Sequence, residues 1–294
     1  MTDKKLEQKR IGIYILFSYG IAWIVWILTG IGAGDYENWG ETTEYSFLGL
    51  MIMAAPAIGN ILTRLITKEG MENSFLHFSL KGKFKYYLAA LFLPVLSGLI
   101  TGIVSSLVYC GGISLEKIND QAGDPAGFAG YILYSVSACA VISYYAFGEE
   151  FGWRAYLYPK LEKLIGLPKT IIAGGIIWGI WHAPLTVMGH NFGQDYPGYP
   201  VSGIALMCVF CIFTGGMLAW LTKKTHSVFT ASLAHSSINT CSGISFALTA
   251  PAVNEMISNN EISMFSFQIF NMLISSALWI IFIVLMLKEN NKKI

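Results

Sequence analysis

The sequence predicts an all-α protein: a polytopic bundle of about eight transmembrane helices with both termini in the cytoplasm. Three observations predict it. Of the 294 residues, 54% are hydrophobic and only 13% charged, whereas a soluble domain carries roughly 25%. The apolar residues arrive in runs close to the roughly 20 residues that a helix needs to cross the hydrocarbon core. Lysine and arginine then collect in alternate connections, the pattern that sets orientation in a membrane.

The first run, 11–31, follows Lys4, Lys5, Lys9 and Arg10. A basic stretch before an apolar one also opens a signal peptide. Here about 20 apolar residues exceed the usual h-region and no A-x-A site follows, so a retained anchor is expected. The second and third runs, 46–66 and 86–110, flank Arg64, Lys68, Lys81, Lys83 and Lys85. The fourth, 128–151, leads to Arg154, Lys160, Lys163 and Lys169, and the fifth is 170–188. The sixth, 201–222, ends at Lys223 and Lys224 before the seventh, 227–249; the eighth, 264–287, precedes Lys288, Lys292 and Lys293. Eighteen of the 19 Lys and Arg thus fall on one side, Lys117 being the exception. The opposite connections carry Asp35, Glu37, Glu41, Glu44, Glu116, Asp120, Asp124, Asp195, Glu255 and Glu261. Helices are expected throughout because backbone amides in lipid must be satisfied internally, and these runs lack the alternation of a membrane β-strand.

The chain reads as one integral membrane domain, 1–294, with its motif-bearing core at about 128–249. The longest connections, about 67–85 and 111–127, are too short for an independent core. A net charge of +1 says nothing about nucleic acid, but no basic stripe with interleaved aromatics appears, so no nucleic-acid partner is expected. Cys208 and Cys211 form a C-x-x-C inside an apolar run; with no second pair or adjacent histidine, they read as packing residues, like Cys110, Cys139 and Cys241.

Ionisable groups at the centre of a membrane helix cost roughly 2.5–3.5 kcal/mol on insertion scales, so they direct attention. Three clusters stand out: Glu149 through Arg154, Trp178 through Pro184, and His235 through Asn239. Adjacent carboxylates on a helix point about 100° apart. Glu150 and Arg154, spaced i,i+4, can pair, which leaves Glu149 unpaired within its own helix. Pro184, just after His182, frees a carbonyl one turn back and kinks the helix. His235 and Asn239 share a helix face. His190 reads as a solvated loop residue, and neither His77 nor His226 is assigned a role.

Depth links the clusters. At about 1.5 Å per residue, Glu149 lies roughly 16 Å from Lys160, His182 roughly 20 Å from Lys169, and His235 roughly 16 Å from Lys224. Unrelated packing histidines have no reason to share a level, so one polar site is expected. A carboxylate, two imidazoles and a carboxamide in a low-dielectric pocket suit acyl-bond hydrolysis. Glu149 and His182 could hold and deprotonate a water, while His235 and Asn239 could donate to the oxyanion. The same Glu149, His182 and His235 could instead hold zinc with one position open. No H-E-x-x-H occurs and asparagine is a poor zinc ligand, so metal-free chemistry with no cofactor is favoured.

These three clusters resemble the motifs of the CPBP intramembrane proteases, which include type II CAAX prenyl proteases and bacteriocin-processing and immunity relatives. That family is marked by E-E-x-x-x-R, F-x-x-x-H and H-x-x-x-N/D on successive helices. The corresponding residues here are Glu149, Glu150 and Arg154, then Trp178 and His182, then His235 and Asn239. Trp178 departs from the usual phenylalanine. The resemblance implies an eight-helix endopeptidase in which Glu149 and His182 act on water and His235 and Asn239 form the oxyanion site.

Two other classes share some of these features. A proton-coupled transporter also uses intramembrane Glu, His and Arg, but no paired interruption appears in the two halves. An inactive immunity or scaffold relative would ordinarily lack a member of the set. The expected surroundings are membrane lipid, in a bacterial cell membrane. The substrate is a peptide or protein: a lipidated tail, a leader peptide and a pheromone all remain open.

Overall fold

The computed structural model describes residues 3–33, 43–112 and 125–292. Every regular element among them is helical. In chain order these are α1 (Asp3–Ala33), α2 (Thr43–Ile66), α3 (Phe84–Tyr109) and α4 (Pro125–Gly152). A π-helical turn, Trp153–Leu157, runs into α5 (Tyr158–Ile165), followed by α6 (Leu167–Trp181) and α7 (Ala183–Val187). The remainder are α8 (Val201–Thr225), α9 (Val228–Cys241), α10 (Gly243–Ala247), α11 (Ala250–Ser258) and α12 (Met264–Asn291).

Five described segments are long and apolar enough to cross a bilayer: Asp3–Ile31, Gly49–Ile66, Phe84–Tyr109, Val201–Thr225 and Met264–Asn291. Ala126–Cys139 and Ile142–Ile165 make a sixth if taken together as one broken span. Large apolar side chains such as Leu16, Phe92, Leu107, Val201 and Ile281 face outward along these helices. Such surfaces suit lipid rather than water, and the chain is an integral, multi-pass membrane protein. The fifth and seventh expected spans are shorter than drawn from sequence. The fifth divides at His182 into α6 and α7, because Pro184 has no N–H to continue the ladder. The seventh becomes α9 and α10.

The connection expected after residue 151 is not a connection. Helix continues through Arg154 and Lys160 to Ile165, and only Gly166, at φ 75°, separates α5 from α6. A residue with a Cβ is strained in that left-handed region. Lys160, placed by the sequence reading in a charged connection, is buried, as is Arg154. The acidic residues Asp35, Glu37, Glu41, Glu116, Asp120 and Asp124, together with Lys117 and Lys293, lie outside the described residues.

The chain divides into two compact units. The first comprises Met1–Ser79, Tyr144–Ser232 and Trp279–Ile294; the second comprises Leu80–Ser143 and Leu233–Leu278. In the first, α1 packs on α2 and α6 on α8. Small residues allow the close approaches, as is usual between membrane helices. A Cβ on Gly175 would lie 2.6 Å from the Ile212 backbone nitrogen, and one on Gly179 would lie 2.7 Å from that of Cys208. Cys208 is therefore part of a helix contact, and neither it nor Cys211 is in a disulfide. Gly148 and Gly152 likewise press α4 against α2 at Met53 and Pro56.

At the basic end of the same unit, Lys160 Nζ bonds Glu69 at 2.6 Å and Glu7 at 2.9 Å. Arg10 pairs with both glutamates as well, and the Tyr156 hydroxyl donates to Glu69 at 3.0 Å. This network fastens the start of α1 and the end of α2 to α5. In the loop after α7, His190 is half-buried rather than solvated, and desolvation pushes its imidazole down to about 4. The second unit packs α10 on α3. Its apolar core contains Val95, Cys241 and Ile244, with Phe128, Tyr131 and Ile132 against them.

Candidate active site

Both glutamates of the first motif are buried: Glu149 is 2% exposed and Glu150 0%. That rules out simple solvation at a helix end. Glu150 forms the expected i,i+4 pair, with Arg154 Nη1 3.0 Å from its Oε1. The guanidinium carbon also lies over two aromatic rings, 3.9 Å from the centre of Trp178 and 5.3 Å from that of Tyr158. Cation–π attraction strengthens when desolvated, and it occupies the faces of a cation whose Nε and Nη2 find no acceptor among the described residues.

Glu149 differs from expectation. Its own helix does supply a partner: Trp153 Nε1, one turn on, donates to Oε2 at 3.3 Å. Trp178 Nε1, from α6, donates to the same oxygen at 2.7 Å. An indole offers a donor and no acceptor, so both tryptophans donate and Glu149 Oε2 accepts from each. A phenylalanine at 178 would have no N–H to give.

The π turn begins directly after this segment, and such turns often occur at functional sites. The Tyr158 N–H reaches back to the Trp153 carbonyl. Near the transition, Asn60 Nδ2 donates to the Phe151 carbonyl at 2.7 Å, and Arg64 Nε in turn bonds Asn60 Oδ1 at 2.7 Å. The wider register is thus supported from α2.

His182 caps α6. Its backbone N–H turns to the Gly179 carbonyl at 3.1 Å, which removes the helical partner of the Trp178 carbonyl. The His182 ring replaces it, with Nδ1 2.9 Å from that oxygen. A carbonyl can only accept, so Nδ1 carries the hydrogen. In the neutral ring the lone pair then belongs to Nε2. The helix end at His182 therefore has a specific result: it fixes a tautomer. Carbonyls near the helix end are met from α1, where Tyr19 donates to Ile177 and Trp23 Nε1 to Trp181 at 2.9 Å. Trp26 and Trp181 complete an aromatic wall beside the imidazole.

The third motif lies on α9, within the second unit. His235 is buried at 6% exposure, whereas Asn239, one turn on, is exposed. Between them, Ser236 and Ser237 hold the helix by donating to the Cys139 and Leu91 carbonyls at 2.8 and 2.7 Å. Their hydroxyls thus tie α9 to its neighbours.

Sequence reasoning missed Trp153, Tyr19, Trp23 and the Lys160 network. Trp153 was within reach, since i+4 from Glu149 is the spacing already used for Glu150 and Arg154. Nothing in the sequence marks which carbonyls Tyr19 and Trp23 would meet.

Fold and site together define the class: a polytopic α-helical membrane protein with a buried, tryptophan-held glutamate and a histidine at a broken helix end. Residues 131–241, which contain all three motifs, match the family described as "Type II CAAX prenyl endopeptidase Rce1-like". The chain is also 22% identical over 233 residues to a curated protein named CAAX prenyl protease 2 from Methanococcus maripaludis, covering 77% of this chain and 82% of that one. The chain thus carries an Rce1-like region, in agreement with the family resemblance of its motifs.

Proposed function

We propose that this protein is an intramembrane endopeptidase that hydrolyses a peptide bond of a membrane-associated peptide or protein. On this reading Glu149 removes a proton from a water, and His182 Nε2 accepts the water's second hydrogen as a hydrogen bond. The water oxygen adds to the scissile carbonyl. His235 and Asn239 donate to the oxyanion that forms. Collapse of the intermediate breaks the C–N bond, and Glu149 returns its proton to the leaving amine. Glu150 and Arg154 act as a structural pair. The observation that carries this reading is the joint attachment of Glu149 and His182 to Trp178, one by the indole and one by the backbone carbonyl.

The Rce1-like match and the name of the curated relative make a prenylated C-terminal tail the first substrate class to test, with leader and pheromone peptides next. Eight membrane crossings with both termini cytoplasmic belong to the same proposal. The zinc-dependent form, with Glu149, His182 and His235 as ligands, is its alternative.

The test is hydrolysis of internally quenched peptides by the purified protein, with a prenylated CAAX-type tail and without. Wild type should cleave at least one of them and Glu149→Gln none. Equal rates for the two proteins would remove Glu149 from the reaction.

A further inference from the structure

We infer that Trp178 is the positioning residue of the site, setting the carboxylate of Glu149 through its indole and the tautomer of His182 through its carbonyl. The inference rests on the proposed roles of Glu149 and His182 as the water-activating pair. It goes beyond them in assigning both geometries to one residue.

Three contacts carry it. Trp178 Nε1 donates to Glu149 Oε2 at 2.7 Å, the shorter of the two indole bonds to that oxygen. Hydrogen bonds to an ionised acceptor are roughly twice as strong as neutral ones. The Trp178 carbonyl accepts from His182 Nδ1 at 2.9 Å. Finally, the indole cannot turn away, because the Arg154 guanidinium lies 3.9 Å from its ring centre and the side chain is 2% exposed.

The consequence is directional. The two indoles meet on one oxygen of the carboxylate, Oε2, and so fix how Glu149 is presented. The Arg154–Glu150 pair acts behind this arrangement by holding the indole plane. The carbonyl half of the arrangement survives any substitution at 178, while the indole half does not, and this separates the two in an experiment.

Two replacements remove the N–H. Trp178→Phe keeps an aromatic face for Arg154. Trp178→benzothienylalanine keeps the bicyclic shape and puts sulfur in place of N–H, which decides the matter if the phenylalanine variant fails to fold. The first readout needs no substrate: the infrared difference between a protein and its Glu149→Gln counterpart isolates the Glu149 carboxylate bands. These should shift when the indole donor is lost. The second is hydrolysis of the quenched peptides above. There kcat should fall about 10–100-fold, in the range expected when a buried polar group loses its hydrogen-bond donor, with KM little changed.

Unshifted carboxylate bands, or a benzothienylalanine variant with wild-type kcat, overturn the role of Trp178 even where Glu149→Gln is inactive. Wild-type turnover by Glu149→Gln overturns instead the reading of Glu149 as base, whatever the infrared bands do, and the inference falls with it. The same holds if wild type cleaves none of the peptides.

Discussion

Glu149 and Glu150 point about 100° apart on their helix, and each meets a different kind of partner. Glu150 faces a guanidinium at 3.0 Å, with both side chains 0% exposed; Glu149 faces two indole N–H groups. Neutralising the two should therefore give different results. Glu149→Gln keeps the shape and can still accept from the indoles, so turnover should vanish while thermal stability stays near wild type. Glu150→Gln leaves Arg154 buried without its counter-charge. Breaking a buried ion pair from one side costs about 3–5 kcal/mol, so this variant should lose stability as well as activity. Thermal unfolding and peptide hydrolysis on the same preparations check both; matching losses of stability would contradict the division of roles. On the proposed mechanism, Asn239→Ala should lower kcat by about 10²–10³, the range for one lost oxyanion donor. KM should hold, since that bond strengthens mainly in the transition state. A change confined to KM would instead make Asn239 a substrate-binding residue.

The segment bearing Glu149 is pressed to α2 by glycines. A Cβ on Gly152 would lie 2.6 Å from the Pro56 carbonyl carbon, and one on Gly148 would lie 2.9 Å from that of Met53. These are backbone atoms and cannot swing aside. Gly152→Ala should therefore part the two helices at the Asn60–Phe151 bond and lower stability by about 1–3 kcal/mol or more. Gly12→Ala, which meets nothing within 4 Å, is the control and should stay at wild type. Thermal unfolding in detergent compares them, and equal melting temperatures would show the contact to be slack. The break at His182 works at the same scale. The His182 N–H turns to the Gly179 carbonyl at the end of α6, and the Trp178 carbonyl it leaves is the acceptor that orients the imidazole. The helix defect and the orientation of His182 are one event.

For the whole molecule, the proposed orientation puts Asp195 and Glu255 outside. Both are exposed, so cysteines at 195 and 255 should react with an impermeant maleimide on intact cells, as should cysteines at 41 and 120. Labelling of any of these solely after the membrane is opened would reverse the orientation. The metal question is also one for the intact protein. On the proposed mechanism, protein purified in chelator should keep its peptidase activity and hold well under one zinc per chain by elemental analysis. Zinc at one per chain, lost with activity and restored with it, would establish the zinc form of the site instead.

The class of fold was legible in the sequence because lipid leaves few choices: a long apolar run must be a helix, and its flanking charges orient it. The E-E-x-x-x-R pair was legible because one helical turn separates its partners, and Pro184 announced a break because its chemistry is local. What the sequence could not determine were contacts between distant residues. Trp178 meets Glu149 across 29 positions, and Tyr19 and Trp23 meet α6 across 158. Lys160, charged and near a run's end, read as a surface residue until Glu7 and Glu69 proved to enclose it. Periodicity reports which face of a helix is apolar, but only the packing of one helix on another decides which donor meets which carboxylate. That is why sequence determined the helices and named the candidate residues, while tertiary structure decided that Trp178 holds Glu149 and His182 together.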